Sequence, residues 1–116
     1  MRMAMVGSSE EASMFSLTEP DRVVLQAPER LVSEHRLDFR RDALERLSKA
    51  ASDGAKRITI DLRDTREVDA SGLGVLVLLQ KRAREHFLST CLSHTPPTVR
   101  HLLHLTQLEG LFEFED

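Results

Sequence analysis

The residues whose types and spacing could do chemistry in this 116-residue chain are Asp69-Ala70-Ser71-Gly72-Leu73-Gly74. The apolar run Leu73 to Leu79 follows, and Gln80-Lys-Arg-Ala-Arg-Glu-His86 continues it with good helix formers and no turn signal. This pattern predicts a helix from about Ser71 to about His86, with Asp69 or Ala70 near its cap. Ser71 then stands at a helix amino terminus, where unpaired backbone N–H groups and the positive end of the helix dipole favour an anion. A hydroxyl placed there could carry a phosphate. It could equally do no more than start the helix, as serines commonly do.

Other chemistries have less support. Ser71 lacks a Gly-x-Ser-x-Gly elbow, and nothing nominates any of the five histidines as its base. Gly72-Leu-Gly74 alone does not make a dinucleotide fingerprint, and no Walker lysine follows it. His101 and His104 are spaced to share a helix face and could chelate a metal with His94 or a carboxylate. Without a cysteine or acid at ligand spacing they read as solvent-facing. Asp64 and Asp69, in a loop before a helix, read as capping and solvating groups. Cys91 falls in an expected buried strand and reads as an inert core thiol. No catalytic residue, metal or cofactor is expected, and the chain reads as a binding module, not an enzyme.

The elements that must position Ser71 can be taken in order. Residues 1–12 have no periodicity and read as a loose, disordered tail ahead of one domain, 13–116. Phe15 and Leu17 alternate with polar neighbours as a short strand; Glu19-Pro-Asp21 is a turn, and Val23, Leu25 and Ala27 form a second strand, giving an antiparallel hairpin. Ala27 to Val32 is a connector, and Ser33 caps a first helix carrying Leu37, Leu44, Leu47 and Ala51 on one face and ending at Ser52-Asp-Gly54. Ile58, Ile60 and Leu62 alternate as a strand, Arg63 to Val68 is a polar loop, and the Ser71 helix follows, apolar nearly all round and therefore buried. Phe87 to Leu92 reads as a short buried strand. Thr95-Pro-Pro97 opens a third helix that stops before Gly110, and Leu111 to Phe114 closes the chain as a strand. Strands alternating with helices predict an α/β fold with a mixed, largely parallel sheet, an N-terminal antiparallel hairpin, and helices packed on the sheet.

Composition narrows the function. At 41% apolar and 30% charged residues the chain is globular, and its net charge of −3 argues against a direct nucleic-acid partner. A single cysteine fits a reducing cytoplasm, and no run reaches the length of a membrane span, so no membrane insertion is expected. Arg63, Asp64, Arg66 and Glu67 rim Ser71 with mixed charge, which suits a protein contact. A phosphate on Ser71 would add about −1.5 to −2 charges there.

Val68-Asp69-Ala70-Ser71-Gly72-Leu73-Gly74-Val75-Leu76 resembles the signature of STAS domains, the fold of bacterial anti-sigma factor antagonists, and the resemblance runs from about Met14 to about Phe114. It implies that Ser71 is the residue phosphorylated by an anti-sigma factor with a serine-kinase domain, with Asp69 as the matching acid beside it. Asp69, Ala70, Ser71, Gly72, Arg66 and Glu67 would contact that partner. Unphosphorylated protein would hold the anti-sigma factor and so free a sigma factor; phosphorylation would break the complex and a phosphatase would restore it. The resemblance also implies an alternative, a STAS subunit of a lipid-transporting ABC system that docks on its ATPase, and a third use in stressosome-like scaffolds. Two segments depart from the family pattern. Pro28 and Val32 replace a glycine and an aspartate in the connector, and His86-Phe87 replaces a glycine turn.

Overall fold

A computed structural model describes residues 22–32 and 36–115 of the chain. The elements run β1 (Arg22–Gln26), β2 (Arg30–Leu31), α1 (Arg36–Ser52), β3 (Arg57–Asp61), β4 (Glu67–Val68), α2 (Ala70–Glu85), β5 (Ser89–Ser93), α3 (Pro97–Leu105), a 3-10 turn at Glu109–Leu111, and β6 (Glu113–Glu115). The expected strand at Phe15–Leu17, the turn at Glu19–Asp21, the Ser33 cap and the tail 1–12 lie outside the described residues.

Four strands form one sheet in the order β1-β3-β5-β6, every pair parallel. Neighbours in that order advance in one direction, so right-handed crossovers bring all three helices onto one face. Leu25, Ile60 and Leu92 stand in register across β1, β3 and β5 as the floor beneath the helices, each at most 1% exposed. Leu47 of α1, Leu76 and Leu79 of α2 and Leu103 of α3 fill the space above them. β2 and β4 make a separate two-stranded parallel ribbon.

The opposite face is polar. Strand alternation puts Val24, Thr59, Cys91 and Glu113 in one row, and Gln26, Asp61, Ser93 and Glu115 in the next. An ion pair of 2.6 Å from Arg22 Nη2 to Glu115 Oε1 crosses this face between the two outer strands of the described sheet. Thr59 and Cys91 lie buried in its middle.

All three helices end alike. The amides of Ala55, Leu88 and Leu108 return to the carbonyls of Ala50, Ala83 and Leu103, while Gly54, Phe87 and Gln107 take positive φ values of 88°, 63° and 61°. This is the Schellman termination, and its left-handed position favours glycine. The three helix-to-strand returns all lie at the amino ends of the parallel strands.

Several expectations are corrected. The polar loop 63–68 ends in a strand, because Glu67–Val68 pairs with Arg30–Leu31, which lies within the expected connector. The fifth strand begins at Ser89, not Phe87, since the termination of α2 consumes residues 86–88. The last strand begins at Glu113 because Glu109–Leu111 winds into a 3-10 turn. Helix α2 is not buried all round: Gly74 is exposed and Val77 and Leu78 are half-buried.

Candidate functional site

Ser71 is the second residue of α2, at the carboxyl-terminal end of the sheet. The helix starts there because Asp69, in extended backbone, accepts a hydrogen bond on Oδ1 from Gly72 N at 2.9 Å. Its own carbonyl accepts from Leu73 N at 2.9 Å. The N-cap is therefore Asp69, one of the two positions expected, and its carboxylate lies within the positive field of the helix start. Ala70 is exposed and Ser71 is half-buried.

Gly72 fits for a reason that spacing could not show. β2 passes so close over α2 that a Cβ on residue 72 would overlap the carbonyl oxygen of Leu31. The ribbon is pinned in that position by several bonds. Arg66 N donates to Glu29 O at 2.8 Å, and Thr65 Oγ1 donates to Pro28 O at 2.8 Å. Arg30 Nε meets Glu67 Oε1 at 2.9 Å, and Arg66 Nε meets Glu29 Oε2 at 3.4 Å. Arg66 and Glu67, two of the four charges expected to rim Ser71, are thus engaged in pairs on and beside an exposed ribbon. The ribbon brings Glu29, Arg30 and Leu31 to the site, although no periodic signal marks them in a two-residue strand.

Arg63 and Asp64 turn elsewhere. Asp61, 8% exposed, accepts from Arg63 N at 2.9 Å and faces His94 Nδ1 at 3.4 Å, while Arg63 Nη2 lies 3.3 Å from His94 Nε2. Asp64 accepts from Gln26 Nε2 at 3.4 Å. Beside the ribbon, Val68, Val99, Leu102 and Leu105 line a shallow groove of about 270 Å³ between β4 and α3.

The remaining candidates have structural surroundings. His101 and His104 are exposed, and His104 Nδ1 lies 2.7 Å from Glu109 Oε1. No group of three or more metal-ligating side chains occurs among the described residues. Cys91 is buried, and desolvation pushes its thiol pKa up, with the Glu115 charge adding to the shift. No helix among the described residues is long and apolar enough to cross a membrane.

A family model described as "Mlab, STAS domain" matches residues 16–113. The chain belongs to the STAS family. A STAS-domain-containing protein of Pseudomonas aeruginosa (strain UCBPP-PA14) is 36% identical over 76 residues, covering 66% of this chain and 70% of the relative. A solved protein of Thermotoga maritima, proposed to be an anti-sigma factor antagonist, superposes with a TM-score of 0.71 at 26% identity, over 83% of this chain and 80% of that one. The phosphorylated form of the Bacillus cell fate determinant SpoIIAA superposes with a TM-score of 0.64 at 15% identity, over 87% and 88% of the two chains, a likeness of fold. The STAS fold expected from the Ser71 motif is therefore present, with its parallel sheet and three helices.

Proposed function

We propose that this STAS domain is a cytoplasmic, non-enzymatic anti-sigma factor antagonist whose partner binding is gated by phosphorylation of Ser71. The observation that carries the reading is the position of Ser71, half-buried in the first turn of α2 and two residues after Asp69, which caps it. The likeness to the Thermotoga protein supports the same class. Asp69, Ala70 and Ser71, with Arg66 and Glu67 beside them on and next to the ribbon, form the partner surface, while Gly72, buried beneath Leu31, seats that surface against the ribbon. The partner is an anti-sigma factor carrying a serine-kinase domain. Its binding releases a sigma factor, and a phosphatase resets the cycle.

A phosphate on Ser71 adds negative charge at the helix start that Asp69 caps, so it alters the contact surface without requiring a change of fold. An acidic or desolvated partner surface that fits the hydroxyl would then be repelled.

The test is a pull-down from lysate of the native organism with wild type, Ser71→Ala and Ser71→Asp as baits, with phosphosites mapped by mass spectrometry. The expected result is a serine-kinase anti-sigma factor retained by Ser71→Ala and lost by Ser71→Asp. Equal retention of one partner by all three baits sinks the switch. If that partner is a transporter ATPase, the lipid-transport alternative takes its place.

A further inference from the structure

The left-handed position that ends each helix is filled by glycine after α1 and by glutamine after α3, but by phenylalanine after α2. Phe87 holds a φ of 63° and is 94% exposed. A bulky residue is strained in that conformation, and an aromatic ring gains nothing by standing in water. The turn itself is held by Ala83 and by the buried Leu88, so nothing among the described residues needs the Phe87 ring.

The surroundings of the ring are cationic in a chain whose net charge is −3. Lys81, Arg82 and Arg84 lie in the last two turns of α2. The neighbouring return brings Lys56, whose carbonyl accepts from Ser89 N at 3.0 Å, and then Arg57. Glu85 is the single carboxylate in the segment 80–88, and it pairs with Arg82 at 3.8 Å. Lys56, Lys81 and Arg84 have no ion-pair partner among the described residues.

We propose that this end of the domain, with Phe87 at its tip and Lys56, Lys81 and Arg84 around it, docks on an anionic lipid surface. A protein-binding hot spot is ringed by further apolar contacts, whereas Arg84, Glu85 and His86 before Phe87 are exposed and polar and Leu88 after it turns into the core. The exposed apolar side chains Leu105 and Leu111 belong to the end of α3 and the separate return after it. One apolar tip within a cationic collar suits the bilayer interface, where the ring enters the headgroup region and the ammonium and guanidinium groups meet lipid phosphates. The contact is peripheral and needs no spanning helix. It leaves Ser71, at the other end of the sheet, facing away from the bilayer. The inference does not depend on modification of Ser71.

The experiment is co-sedimentation of the full chain with vesicles of phosphatidylethanolamine containing about one-third phosphatidylglycerol, against vesicles of phosphatidylcholine alone. Wild type should bind the anionic vesicles only, and release at about 0.5 M salt. Lys81→Glu with Arg84→Glu should reduce partitioning at least about a hundredfold, at about fivefold per unit of charge. Phe87→Gly should raise Tm, by relieving the left-handed strain, while reducing partitioning about tenfold or more. Failure of wild type to bind anionic vesicles, unchanged binding by both variants, or a lower Tm for Phe87→Gly would each overturn the proposal. So would a Phe87-dependent complex with an acidic protein in the absence of vesicle binding.

Discussion

The carbonyl oxygen of Leu31 occupies the space into which a side chain on Gly72 would project. Gly74, one residue beyond Leu73 on the same helix, has no atom within 4 Å of a Cβ built upon it. The two glycines of the motif therefore answer to opposite constraints. Gly72→Ala should destabilise the fold by about 1–3 kcal/mol, because backbone must give way. Gly74→Ala should stabilise it by about 0.5–1 kcal/mol through helix propensity. Thermal or denaturant unfolding of the pair reads both signs, and a Gly72→Ala protein as stable as wild type would show that the β2–β4 ribbon can retreat from α2.

Asp69 caps α2 through its side chain. Asp69→Ala should cost about 1 kcal/mol, and Asp69→Asn, which keeps the acceptor, should cost less. Amide hydrogen exchange at Gly72 gives the local readout. Equal protection in wild type and Asp69→Ala would exclude the cap as the anchor of the helix start.

The His104 hydrogen bond holds the Glu109 carboxyl below its ordinary value of 4.5, with the charges of His104 and Arg100 acting in the same direction. A depressed carboxyl favours the folded state above its unfolded value, and that contribution disappears as pH falls through the folded one. The contribution of Glu109 to the contact between α3 and the 3-10 turn should therefore be lost on the acid side of 4.5. Carboxyl-detected NMR titration should place Glu109 below an ordinary glutamate, and His104→Ala should return it toward that value. A titration unchanged by His104→Ala would rule out this cause.

Burial raises the Cys91 pKa, and the thiol is 3% exposed. At neutral pH it should resist alkylation until the protein unfolds, so labelling should follow the global transition in denaturant. Because the folded pKa is raised, the associated stability is complete below the unfolded value and declines as pH rises toward the folded one. Rapid labelling of native protein at neutral pH would show that the polar face of the sheet opens on its own.

Legibility followed the length and period of each element. α2 and its Asp69 cap could be read because sixteen residues of helix leave a long apolar pattern and a capping residue before it. β3 showed itself through the alternation of Ile58 and Ile60 with polar residues. β2 and β4 are two residues each and carry no period, so their pairing, and with it the contact of Leu31 with Gly72, had no local signature. Phe87 looked like strand because apolarity alone does not distinguish a buried ring from an exposed one. The helix termination decided its place, and it depends on the carbonyl of Ala83. Leu78 and Val77 looked like core for the same reason, although their face of α2 is only partly covered.

The all-parallel pairing of β1, β3, β5 and β6 also bears on how the chain reaches this state. None of these pairs is joined by a tight turn; each neighbour arrives only after a helix has been traversed. No two-stranded seed can close early within the described sheet, and loop-closure entropy opposes each pairing before its contacts form. Folding should then proceed on the slower timescale of nonlocal topologies. The pairing of the two central strands, β3 and β5, closes only across α2, so the segment that carries Ser71 is also the crossover on which the middle of the sheet depends.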